Sequence, residues 1–151
     1  MSGYPSIGSI LGNALAQEAQ PDGPLLRAAR GELFALRQLV QQHIQAAIQS
    51  TSHATRLGEL GQALSFCRLS VAFGEKQDQH RLVGLYGEIA GVCRAAGDQG
   101  AADTFEAQGL LFAEDLARLG DEVMEDGIAS AADAISPGAL VIASKIRGGE
   151  A

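Results

Sequence analysis

The chain has 151 residues, a formal charge of −7, and 46% apolar residues, of which few are aromatic and none is tryptophan. That length is one domain's worth, with a modest core drawn from Leu, Ile, Val and Ala, the composition of helix packed on helix. The acidic balance argues against DNA, RNA or an anionic membrane surface as a direct partner.

Residues 1–23 read as an N-terminal arm. Tyr4-Pro5 and Gly8 interrupt structure, Ser9 can cap a short helix through Ala19 carrying Ile10, Leu11 and Leu15, and Pro21-Asp22-Gly23-Pro24 ends it. The arm is expected to fold back on its own core rather than reach to a neighbour. No basic segment followed by an apolar core opens the chain, and no apolar run approaches the ~18 residues needed to cross a bilayer. The expected compartment is the cytoplasm.

A helical domain is expected over residues 24–135. Pro24 suits a first helical turn, where its missing N–H leaves nothing unsatisfied. From there to about Ser50, Leu26, Ala29, Leu33, Leu36, Val40, His43 and Ala47 step by three and four, a helical seam. Leu25, Leu39, Ile44 and Ile48 widen that face, which suits burial in a bundle. His43 on the seam reads as a core or interface histidine rather than a ligand. Ser50 to His53 is a break or capped restart, and the next helix runs to about Glu75.

Gln79–Leu119 is the best-defined stretch, and it predicts a helical hairpin. Leu82, Leu85, Tyr86, Ile89, Val92, Cys93 and Ala96 recur at helical spacing, then Ala102, Phe105, Gly109, Phe112 and Leu116 do so again. Between them Gly97 can end one helix in the left-handed conformation and Asp98 can cap the next. Each glycine inside a helix costs roughly 1 kcal/mol relative to alanine. Close helix approach would account for Gly84, Gly87, Gly91 and Gly109. Gly84, Gly87, Gly91 and Ala95 form one stripe, on a different face from Ala90, Ala102 and Gly109. Cys67 and Cys93, on apolar faces, read as buried free thiols.

Over residues 60–121 these features resemble a tetratricopeptide repeat of a long kind, with units of about 40 residues. Ala90, Gly97-Asp98, Ala102 and Gly109 match the family's small packing positions and its turn, and AEDLARLGD resembles the end of such a repeat. A weaker copy begins at Ala63: Ala63 pairs with Ala102, Phe66 with Phe105, Phe73 with Phe112, Glu75 with Glu114, and Gly58-Glu59 with the Gly97-Asp98 turn. The helix before Gly58 departs from the pattern, because Ser50-Thr51-Ser52 falls inside it. The fold class is therefore all-α, antiparallel helical hairpins of this repeat type or a plain helical bundle. The resemblance implies a concave face lined by the first helix of each hairpin. Here that face would include His80, Arg81, Gly84, Gly87, Glu88, Gly91 and Arg94.

Beyond Gly120, Asp121, Glu122, Glu125 and Asp126 lack the loop of a calcium site. They read as acids at a helix N-terminus, favoured by its dipole, on a solvated face. From Asp98 to Gly127 there are nine acidic residues and one arginine. Ser136-Pro137-Gly138 should stop the helix. The tail, 136–151, then carries the apolar run ALVIASKI, expected to pack over the bundle as a short helix or extended segment. The sequence contains no Gly-rich phosphate loop, GxSxG turn, HxxxH or CxxC, and His43, His53 and His80 lack metal-site spacing. The expectation is a non-enzymatic chain with no metal, cofactor or small-molecule ligand. It is either an adaptor or chaperone that holds a peptide or helix of another protein, or a self-assembling subunit, as in a virus-like particle or a DNA-packaging motor, that forms a ring or lattice.

Overall fold

The computed structural model describes residues 24–149, and within them the fold is all-α: α1 Pro24–Gln49, α2 His53–Val71, α3 Lys76–Ala95, α4 Gln99–Arg118, α5 Glu122–Ala131, a 3-10 turn Ala132–Ala134, and α6 Pro137–Gly149. The arm expected over residues 1–23, with Ile10, Leu11 and Leu15, lies outside the described residues, as do the side chains of Leu25, Leu26 and Ala29.

The helix ends follow from local chemistry. Ser52 caps α2 by accepting from the Thr55 N–H, Asp98 caps α4 through Ala101, and Asp121 caps α5 through Met124, at 3.0–3.1 Å. Glu75 holds the same position before α3 but makes no side-chain cap; its carboxylate accepts from Arg37 of α1 at 2.6 Å. Gly74, Gly97 and Gly120 end α2, α3 and α4 with positive φ, a conformation glycine adopts without a steric penalty. After Gly97 and Gly120 the next N–H (Asp98, Asp121) bonds back five residues, closing the Schellman geometry.

Consecutive helices pack on one another, α1 on α2, α2 on α3 and α3 on α4, and α4 then carries both α5 and α6. α1 and α2 run antiparallel, with His43 beside Glu59 and Arg56 donating to the Ala47 and Ser50 carbonyls. α3 and α4 do the same, Tyr86 meeting Gly109 and Arg94 pairing with Glu106. One core joins α1 to α4 through Val40, Ala47, Leu60, Ala63, Leu64, Cys67, Leu82, Leu85, Tyr86, Ile89, Ala90, Cys93 and Ala102. A smaller one seats Ala139 and Ala143 of α6 on Ala107 of α4, flanked by Leu110, Leu111, Ile135 and Ile142.

The seam of α1 is buried at Leu33, Leu36, Val40 and Ala47 as its spacing predicts, but Ile48, expected to widen the face, is exposed. His43 is an interface histidine, its Nδ1 2.6 Å from Glu59 Oε2 and its ring stacked on Phe66. Gly58-Glu59 is not a turn. Both residues lie inside α2, because Ser52 already caps that helix upstream and Glu59 is held by His43. The helix expected to reach Glu75 stops at Val71, since Gly74 takes positive φ and Glu75 begins α3. Ser136-Pro137-Gly138 starts a helix rather than only stopping one: Pro137 occupies the first turn of α6 and the Ser136 carbonyl accepts from the Leu140 N–H.

Candidate functional site

Three helices lie side by side on one face. Arg37 of α1 reaches the first turn of α3, donating to Asp78 from Nε at 3.0 Å and from Nη2 at 2.7 Å. Further along, Ile44 and Ile48 of α1 stand beside Glu88, Gly91, Val92 and Ala95 of α3. Low numbers thus face low numbers, and α1 runs parallel to α3. The same holds one step on: His80 of α3 meets Asp121 before α5, and Val83 and Gly87 share a hollow with Met124, Gly127, Ile128 and Ala131. α4 and α6 are likewise parallel, since Ser136 bonds Asp103 and Glu106 near the start of α4 while Arg147 pairs with Glu114 further along it. α2, antiparallel to α1 as α4 is to α3, runs in the same direction.

On α3, in the middle of the first row, Arg81, Gly84, Gly87, Glu88, Gly91, Arg94 and Ala95 are all exposed. A Cβ added at Gly84, Gly87 or Gly91 would meet nothing within 4 Å. These three glycines therefore do not serve close approach among the described residues, contrary to that expectation. Gly109 does: a Cβ there would come 2.9 Å from Tyr86 Cβ. Tyr86 cannot retreat, because its ring is buried in the core and its hydroxyl accepts from Arg68 Nε and Nη2 at 3.1 and 2.8 Å.

Two expected site residues are engaged inside the fold. His80 is half-buried, with Nε2 2.6 Å from Asp121 Oδ2. Arg94 pairs with Glu106 and lies 3.8 Å from Asp103. Arg81, Gly84, Gly87, Glu88 and Gly91 make up the open part of the stripe, and a hollow flanks it on each side. One, of about 360 Å³, is lined by Ile44, Ala47, Ile48, Arg56 and Leu60 from α1 and α2 with Glu88, Gly91, Val92 and Ala95 from α3. The other, of about 380 Å³, lies between α3, α4 and α5 and is apolar but for Glu106. A third, of about 230 Å³, is polar and lies around Arg37, Gln41, Asp78 and Arg81.

Electrostatics at the margins is set by hydrogen-bond partners at Asp121 and by burial at the cysteines. Asp121, expected on a solvated face, is buried at the N-terminus of α5. The His80 hydrogen bond pulls its carboxyl below the usual carboxylate range, against the opposing effect of desolvation, and the Met124 N–H assists. Glu122, Glu125 and Asp126 are exposed as expected. Asp78 is almost fully buried and satisfied by Arg37. Both cysteines are buried and free, and desolvation raises their thiols above the ordinary value. Among the described residues no group of three or more His, Cys, Asp or Glu side chains is placed to hold a metal ion, and no helix is long and apolar enough to cross a membrane.

Sequence spacing did not reveal the Arg37–Asp78 link or the α5 wall of the second hollow. One signal was available: Gly74-Glu75, Gly97-Asp98 and Gly120-Asp121 recur every 23 residues and mark successive helix junctions. That spacing makes a two-helix unit of 46 residues, longer than the unit of about 40 that the resemblance implies. No family model, curated protein or solved structure matches this chain.

Proposed function

We propose that this chain is a non-enzymatic interaction module, built from hairpins of tetratricopeptide-like layout, that holds a peptide or helix of another protein along the exposed face of α3. The observation that carries this is the open stripe of Arg81, Gly84, Gly87, Glu88 and Gly91, flanked by two hollows lined mainly by apolar residues. Solvent-exposed glycines inside a helix weaken it by roughly 1 kcal/mol each relative to alanine. Here they relieve no internal crowding, and a surface without side chains lets a partner backbone come close. Hollows of this size, lined by apolar side chains with few polar groups, suit anchor residues.

The test is selection of peptides from a random displayed library against the whole chain, followed by binding to Gly91→Leu and Gly84→Leu. Selected peptides should lose about tenfold or more in affinity on these variants, while helix content and Tm stay at wild-type values or rise. Failure to select any peptide, or selected peptides indifferent to both substitutions, would remove the reading.

A second reading, self-assembly into a ring or lattice, draws on the outer face of α6, where Leu140 and Val141 are exposed at the end of the helical stack. Packed helical repeats leave such a face wherever a further unit can add. Light scattering over a range of concentrations separates the two: a closed multimer dissolved by Val141→Lys favours assembly, and a monomer favours the interaction module.

A further inference from the structure

We infer that the hollow between α3, α4 and α5 receives the apolar side of a cationic amphipathic helix from the partner protein; this rests on the interaction reading above and names the class of partner.

The floor is Val83, Leu110, Ala113, Met124, Ile128 and Ile135. The one charged lining group, Glu106, is already committed: Oε1 accepts from the Ser136 N–H at 2.7 Å and Oε2 pairs with Arg94. Nothing on the floor asks for a polar occupant. Gly87 and Gly127 stand on opposing walls, and a Cβ at either meets nothing within 4 Å, so the space between α3 and α5 is set by missing side chains. From Met124 to Ala131 the α5 wall is about 10 Å long at 1.5 Å per residue. That length accommodates anchors one or two helical turns apart, the helix-in-groove mode of recognition.

The charge of the occupant follows from the solvent-facing side of the same helix, outside the apolar lining of the hollow. α5 and the turn after it present Glu122, Glu125, Asp126 and Asp133 to solvent, and no Lys or Arg occurs between Arg118 and Lys145. An acidic or phosphorylated segment lying here would place like charges together. A segment with Lys or Arg on its polar face gains complementary contacts and faster association.

Three labelled synthetic peptides of about 16 residues, four helical turns, test this by fluorescence anisotropy against the whole chain. The first carries Leu at three- and four-residue spacing with Lys on the polar face. The second has Glu in place of Lys, and the third is a scramble of the first with no apolar face. The first should bind about tenfold or more tighter than the other two. Gly87→Phe and Gly127→Phe, whose Cβ atoms meet nothing within 4 Å and whose rings would occupy the hollow, should each weaken it by about tenfold. Glu125→Lys with Asp126→Lys should weaken it similarly, while Tm and helix content remain those of the wild type. Equal binding of the Glu peptide, equal binding of the scramble, or indifference to both Phe variants overturns the inference. So does self-association of the wild type that Gly127→Phe abolishes, because a second copy would then fill the hollow. If library peptides that depend on Gly91 turn out neutral or acidic, this inference fails and the interaction reading stands. If no library peptide binds, the interaction reading itself falls.

Discussion

Gly109 and Gly91 sit on neighbouring helices and do opposite things. Gly109 lets α4 lie against Tyr86, whose Cβ would be 2.9 Å from any added Cβ. Gly109→Leu therefore overpacks a core that cannot yield, and should lower stability by about 1–3 kcal/mol in urea unfolding. Gly91→Leu adds a side chain over open space beside Val92 and Ile48, and should hold stability or raise it by up to about 1 kcal/mol. Equal destabilisation by the two would place Gly91 in the core. Asp121 gives a pH-dependent counterpart. Its carboxyl titrates below its ordinary range, chiefly because of His80. A carboxyl depressed by folding contributes stability that is complete above the unfolded value, near ~3.9, and is lost as pH falls through the folded one. Asp121→Asn should flatten the fall in Tm on acidification below about pH 4 relative to wild type. An unchanged acid limb would show that the His80 contact is not held in solution.

At the level of the helices, α6 is the segment whose role is clearest from packing. Its Ala139 and Ala143 are fully buried on α4, and Ser136 and Arg147 tie its two ends to Asp103 and Glu114. A chain ending at Ile135 would uncover Ala107, Leu110 and Leu111. Loss of the burial of one or two medium apolar side chains amounts to roughly 2–4 kcal/mol, so the truncated chain should melt earlier and bind a hydrophobic dye. A truncated chain with wild-type Tm would mean that α6 contributes no packing. α1 differs from the shorter helices in its polar reach. Arg37 joins it to both Glu75 and Asp78 at the start of α3, giving neighbouring first-row helices a link beyond the shared core. Removing Arg37 would leave Asp78 buried without its counter-charge, the costly half of such a pair.

For the whole molecule, eleven Lys and Arg residues stand against eighteen Asp and Glu. Several of the cations are spent inside the fold: Arg37 on Asp78, Arg56 on backbone carbonyls, Arg68 on Tyr86, Arg94 on Glu106 and Arg147 on Glu114. Neutralising a run of phosphates needs cations free to release counterions. Duplex DNA and RNA should therefore show no shift in gel titrations at physiological salt. Salt-sensitive micromolar binding would contradict this and would revive the packaging-subunit alternative.

The sequence alone determined what depends on neighbours along the chain. Helical spacing placed α1 and α3–α4 close to their observed limits, Gly97-Asp98 identified a helix end and a cap, and the aliphatic, tryptophan-free composition pointed to helix-on-helix packing. Each of these is a property of a few consecutive residues, because capping and periodicity act over one or two turns. The tertiary structure decided what depends on residues far apart. Gly58 and Gly97 look alike locally, yet one lies within α2 and the other ends α3. The difference is the upstream cap at Ser52 together with the hold of His43 on Glu59. His80 was assigned to an open face and belongs to a junction, because its partner Asp121 comes 41 residues later. Gly84, Gly87 and Gly91 carry the same letter as Gly109, and only the position of Tyr86 against α4 separates a glycine required by packing from three that leave a surface bare.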